Sequence, residues 1–173
     1  GDVNDTLYGG SGDDTINGEG SNDTVNYSLD IYNVIVNLST GKATDGWGYT
    51  DTLSNLEHIT GSAYDDTLTG NTGSNIIIAG SGVDTVYGGD GNDTISGEAG
   101  ADTLNGENGS DTISGGAGAD IMDGGSGTDT LDYSSDIGGV IINLATGSAT
   151  DGGGSSDTIS NFENLTGSAH VDV

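Results

Sequence analysis

The chain has 173 residues, with 34 glycines, no proline and no cysteine. Its 28 acidic residues stand against one basic residue, Lys42, for a net charge of −27. Such a chain repels nucleic acid, anionic membrane and polyanionic sugars and attracts cations. Low hydrophobicity and high charge also predict that the bare chain does not collapse unaided. Without cysteine there are no disulfides to stabilise it. No apolar run approaches the length of a membrane span and no signal peptide is visible, so direct membrane insertion is not expected. The chain begins and ends inside repeats and reads as a piece of a longer protein.

The first organised stretch, residues 1–26, is written in nine-residue frames. Position 6 holds Asp5, Asp14 and Asp23, and position 8 holds Leu7, Ile16 and Val25. Residues 27–60 break the frame. They contain a longer strand candidate, Val34–Leu38, and a later stretch, Asp51–Thr60, that leads back into it. This segment is expected either to continue the solenoid as wider rungs or to form a small β-subdomain at its flank. Residues 61–132 then carry eight full frames. Position 6 holds Asp66, Asn75, Asp84, Asp93, Asp102, Asp111, Asp120 and Asp129, and position 8 is apolar throughout. Residues 133–173 repeat the longer segment. Residues 27–66 and 133–172 align without a gap at an offset of 106, with 25 of 40 positions identical. Tandem units on this scale are typical of extended arrays.

The apolar spacing is nine and no helical stripe exists, while triplets such as Thr-Ile-Ser read as short strands. Two frames then close one coil of 18 residues, with position 8 inward. One buried aliphatic contributes roughly 1.5–3 kcal/mol. Ordering nine residues costs roughly 1–2 kcal/mol each, so apolar burial cannot hold such a coil. Position 6 supplies what is missing. Frames two apart stack, so Asp66, Asp84, Asp102 and Asp120 form one column, and Asn75, Asp93, Asp111 and Asp129 the other. Asp5 and Asp23 stack in the first block. Bare columns repel, and a divalent cation between neighbours reverses the sign. Carboxylates with turn carbonyls, and no His or Cys, make a hard oxygen cage that suits calcium. Asn75 lacks the charge, so the 75/93 step is expected to be weak or empty, and Tyr64 disturbs the 66/84 step. By the same reasoning Asp102 serves two steps and Asp129 one.

The frames GGSGDDTIN, GGDGNDTIS and GGAGADIMD match the G-G-x-G-x-D-x-U-x signature of calcium-binding repeats. The chain resembles RTX (repeats-in-toxin) proteins. The resemblance implies an all-β fold: a right-handed parallel β-roll or β-helix solenoid with short strands and glycine-rich calcium-binding turns. It implies several Ca²⁺ ions, held by Asp5, Asp14, Asp23, Asp66, Asp84, Asp93, Asp102, Asp111, Asp120 and Asp129. Turn glycines complete the sites: Gly80, Gly82, Gly89, Gly91, Gly100, Gly109, Gly116, Gly118, Gly125 and Gly127. It also implies export by a type I secretion system and folding on extracellular calcium, in a secreted or cell-surface, adhesin-like protein. Open strand edges leave a self-associating filament or surface-layer subunit as another reading, and an accessory module of a secreted hydrolase or polysaccharide-modifying enzyme as a third. Asp30, Asp45 and Asp51, with their copies Asp136, Asp151 and Asp157, are candidates for further cations or for turn structure. Nothing resembles a nucleophile elbow or a paired acid/base site, so no enzyme is expected.

Overall fold

A computed structural model describes Gly1 and residues 3–173. Among these residues there is no helix, and hence none long and apolar enough to cross a membrane. The chain winds between two facing sheets. One sheet has eight strands, all parallel: Thr6–Leu7, Thr24–Asn26, His58–Thr60, Ile76–Ser81, Thr94–Ala99, Thr112–Ser114, Thr130–Asp132 and Asn164–Thr166. The frame sets the register. Thr94 pairs with Thr112 and Thr85 with Thr103, each 18 residues on. Two nonapeptides therefore make one coil.

The strands are longer than the triplets the sequence suggests in the middle of the second block. Ile76–Ser81, Thr85–Asp90, Thr94–Ala99 and Thr103–Gly109 run on into the turns. There the turn backbones of adjacent coils also pair, for example Gly89 with Glu107 and Asp90 with Asn108.

The second sheet has twelve strands, and three strands of each insert lie within it. In residues 27–60 the strands Ile35–Asn37, Lys42–Thr44 and Thr50–Ser54 form an antiparallel meander. Its first strand runs parallel to Thr67–Thr69, and its last parallel to Thr15–Asn17. The copy, Ile141–Asn143, Ser148–Thr150 and Ser156–Ser160, repeats this and joins Ile121–Asp123. The inserts thus continue the solenoid, but by antiparallel pairing inside an otherwise parallel roll. Across one insert the eight-stranded sheet gains one strand, and the sheet opposite gains three.

The core is one continuous row. Position 8 is buried from Ile16 to Leu131, and Leu7 is partly buried against the row. The inserts pack more densely than one aliphatic per frame. Tyr27, Val34, Val36, Leu53, Leu56 and Ile59 are all buried there. Ile76 and Ile78 lie on the outer face, as their phase requires.

Candidate metal centre

From Asp23 on, each position-6 aspartate is held by a backbone N–H of the chain wound before it. The Asp84 N–H donates to Asp102 Oδ1 (2.9 Å) and the Asp102 N–H to Asp120 Oδ1 (2.9 Å). On the other column the Asn75 N–H donates to Asp93 Oδ1 (2.8 Å), the Asp93 N–H to Asp111 Oδ1 (2.7 Å), and the Asp111 N–H to Asp129 Oδ1 (2.8 Å). In the first block the Asp5 N–H donates to Asp23 Oδ1 (2.7 Å). The predicted columns exist, in the predicted order.

The second oxygen of each carboxylate carries the chemistry. Oδ2 of Asp14, Asp23, Asp84, Asp93, Asp102, Asp111, Asp120 and Asp129 is buried without a hydrogen-bond partner. An unpaired buried carboxylate oxygen is costly, so eight of them in ordered columns call for a ligand. Backbone carbonyls meet those of Asp23, Asp93, Asp102, Asp111 and Asp129. A Cβ on Gly97 would stand 2.5 Å from Asp102 Oδ2 and 2.6 Å from the Gly115 carbonyl of the next coil. On the other side of the carboxylate, the Gly82 carbonyl and Asp102 Oδ1 both crowd the Cα of Gly100. Among the described residues no three His, Cys, Asp or Glu side chains converge. The groups on offer are carboxylate and carbonyl oxygens, an all-oxygen set that fits a calcium ion.

All ten turn glycines singled out in the sequence have positive φ, from 89° at Gly116 to 155° at Gly100. Position 2 also tolerates this backbone in Glu19, Glu98 and Glu107, at φ 69–71°. The Glu98 carbonyl, however, accepts the Ala117 N–H (2.7 Å). Position 2 thus serves coil-to-coil pairing there. The carbonyls beside Oδ2 of Asp93, Asp102 and Asp111 come from position 1 of the next coil, Gly106, Gly115 and Gly124, a set that sequence reasoning passed over. Its signal was the near-invariant glycine in that phase: Gly88, Gly97, Gly106 and Gly115.

Gly109 is the clearest constraint. Its φ is 148°, and a Cβ there would collide with the Gly91 carbonyl. We expect Gly109→Ala to cost more than about 1 kcal/mol, read as a rise in the calcium concentration at half-folding. Gly73→Ala, whose Cβ would meet only Asn71 Oδ1 at 3.3 Å, is the control with a small effect.

Not every predicted ligand is bare. Asp66 Oδ1 accepts the Val34 N–H (2.7 Å) and the Ser62 hydroxyl (2.8 Å), and Oδ2 accepts the Ser62 N–H (2.6 Å). Asp5 lies at a half-open rung, 3.6 Å from the terminal ammonium. Asn75 closes its own rung: its Nδ2 donates to the Glu57 carbonyl (2.6 Å) and its Oδ1 accepts the Asn71 N–H (2.8 Å).

The columns also run further than the frame suggests. The Asp14 N–H donates to Asp51 Oδ1 (3.0 Å), and the Asp120 N–H to Asp157 Oδ1 (3.0 Å). Buried Tyr27 and Tyr133 donate their hydroxyls to the other oxygens of Asp51 (2.9 Å) and Asp157 (2.6 Å). The Asp129 N–H donates to Glu163 Oε2 (2.9 Å), so Asp129 has a neighbour on each side. This corrects the expectation that it touches one step only. Asp30 and Asp45 instead organise turns: Asp30 Oδ2 accepts the Gly46 N–H, and Asp45 Oδ1 the N–H groups of Trp47 and Tyr49.

Burial is the main electrostatic effect. It raises the carboxyls of Asp84, Asp93 and Asp120 to about 6 and that of Asp102 to about 7. Neighbouring carboxylates in the column push the same way, and the backbone N–H to each Oδ1 opposes them. Burial likewise raises Asp66, Asp111 and Asp129. At neutral pH burial therefore resists the negative charge that a bound cation would offset.

The model of the RTX calcium-binding nonapeptide repeat matches residues 1–30, 60–95 and 96–131, in four copies. No curated protein matches the chain. The matched segments span more than half of it and contain the position-6 aspartates, and RTX repeats bind Ca²⁺ in their turns. The chain belongs to the RTX calcium-binding nonapeptide repeat family.

Proposed function

We propose that this calcium-binding repeat module is a folding switch of a large secreted or cell-surface protein, with an adhesin-like, load-bearing role. The observation that carries the reading is the set of eight buried, unpaired Oδ2 atoms. They make the fold and the ion sites one object. Without a cation, the roll must bury like charges in two columns around a core one side chain wide. With it, each step gains attraction where it had repulsion. Calcium is millimolar outside cells and submicromolar inside them. A chain of this kind stays open for export and sets into a rigid rod on release.

The supporting logic is mass action. A ligand that binds only the folded state stabilises it by RT ln(1 + [L]/Kd) at each site, about 2.7 kcal/mol when free calcium is a hundredfold above Kd. Several sites in one column make the transition steep. The test is a calcium titration followed by circular dichroism and small-angle scattering. A β-signal and a compact rod should appear together and cooperatively between micromolar and millimolar calcium. A cooperative β-fold already present in EDTA at neutral pH sinks the reading.

A further inference from the structure

The last aspartates of the two nonapeptide blocks are as bare as those inside them. Asp23 and Asp129 are fully buried, and Oδ2 of each has no hydrogen-bond partner. By frame spacing, the next carboxylate of each column would fall at Gly41 and Gly147, neither of which has a side chain. The fold brings another residue to the place. The Asp23 N–H donates to Glu57 Oε2 (2.9 Å), as the Asp129 N–H does to Glu163 Oε2. This is the bond that the Asp93 N–H makes to Asp111 Oδ1 inside the block.

The carbonyl is replaced as well. Within the block, Asp93 Oδ2 and the Gly106 carbonyl share the space over the Cα of Gly88. Over Gly18 the same space holds Asp23 Oδ2 and the Asn55 carbonyl. Over Gly124 it holds Asp129 Oδ2 and the Asn161 carbonyl. Asn55 and Asn161 adopt positive φ, 51° and 55°, in the sequences Ser-Asn-Leu-Glu and Ser-Asn-Phe-Glu. His58–Thr60 pairs in register with Thr24–Asn26, so Glu57 precedes its strand as a position-6 aspartate precedes its own. The turn before it is shorter than a nonapeptide turn, and the extra methylene of glutamate makes up the reach.

We propose that Glu57 and Glu163 each complete a divalent-cation site at the junction of a nonapeptide block and an insert. Asp23 Oδ2 and the Asn55 carbonyl are the other donors of the first site, and Asp129 Oδ2 and the Asn161 carbonyl those of the second. The proposal rests on the calcium-binding reading of the repeats and adds sites that the nonapeptide motif does not contain. All four insert residues lie outside the matched segments. The Glu57 site closes its run of the column. Beyond it the Asn75 and Asn71 side-chain amides donate to the Glu57 and Leu56 carbonyls, at 2.6 and 3.1 Å. The ion thus pins the insert to the block before it.

Native mass spectrometry of the whole chain at saturating calcium counts the ions held. Glu57→Gln and Glu163→Gln should each lower the count by one, and the double variant by two. Glu98→Gln, an exposed turn residue, should lower it by none. Gln can still accept the aspartate N–H. Glu163 is solvent-exposed, so its variant reports even where Glu57→Gln perturbs folding. Glu57→Asp keeps the charge but falls short of the ion, and should also lose it. An unchanged count in the double variant, or a full count in Glu57→Asp, overturns the junction sites and leaves calcium binding by the repeats intact. An unmodified chain that holds no calcium overturns both.

Discussion

At acid pH the chain should hold its roll without calcium and lose it as the pH rises toward neutrality. The sign follows from the column. The folded-state values of Asp84, Asp93 and Asp120 are about 6 and that of Asp102 about 7, all raised from 3.8 chiefly by burial. A raised carboxyl binds more protons folded than unfolded, so its contribution is fully present below pH 4 and is lost as the pH climbs through 6 to 7. One aspartate moved from 3.8 to about 6 changes stability by roughly 3 kcal/mol across that window. Four act together on the order of 10 kcal/mol, comparable with the whole stability of an ordinary domain. A proton and a calcium ion thus do the same work by different means, since both offset the cost of a buried negative charge. The measurement is circular dichroism in EDTA from pH 3.5 to 8. Dilute samples are needed, because the net charge vanishes near pH 4.1. With calcium present, the dependence should invert at low pH as protons displace ions. A chain in EDTA that is unfolded at pH 4, or folded at pH 7, contradicts the argument.

The second large effect is expected from Asp102→Asn. Asp102 sits mid-column: its Oδ1 accepts the Asp84 N–H, its own N–H donates to Asp120 Oδ1, and its Oδ2 is bare. The substitution removes charge from two consecutive steps and puts an amide donor in an oxygen cage. Two ions should be lost, with at least a tenfold rise in the calcium needed for half-folding, about 1.4 kcal/mol. Asp66→Asn is the informative contrast. Both oxygens of Asp66 are already taken by Val34 and Ser62. It should weaken the fold through a lost hydrogen bond, yet leave the ion count unchanged. Equal losses of calcium in the two variants would show that hydrogen-bond saturation does not mark the empty steps.

The periodic part of this architecture was legible because its geometry is written in the spacing. A frame of nine and a coil of 18 bring Asp93 to Asp111 and Ile95 to Ile113, and the registers follow. The inserts hid the remainder. Asp51 lies 37 residues from Asp14, and Glu57 lies 34 from Asp23. Only strand pairing reveals that these are column neighbours. The saturation of Asp66 was hidden for a different reason. It depends on Ser62 at position 2, where the frame usually has glycine, and a hydroxyl beside a carboxylate competes with an ion for the same lone pairs. The antiparallel meander was equally out of reach, since Val34–Leu38 read as one strand regardless of its neighbours. Position 1 was in plain view. Its glycines signalled close approach, but only the fold shows that the approaching atoms are carboxylate and carbonyl oxygens.

The unequal strand count of the two sheets has a mechanical consequence. Each insert gives one face two more strands than the other, and strands stack about 4.8 Å apart. One side of the rod is therefore longer by about 10 Å at that point, close to the spacing of two packed sheets. The insert acts as a keystone. The axis must bend there, and the second insert, 106 residues on, is set in the same sheet and bends it again. A longer array of such units would follow an arc whose curvature is written in the distance between inserts, with straight calcium-bound segments as its chords.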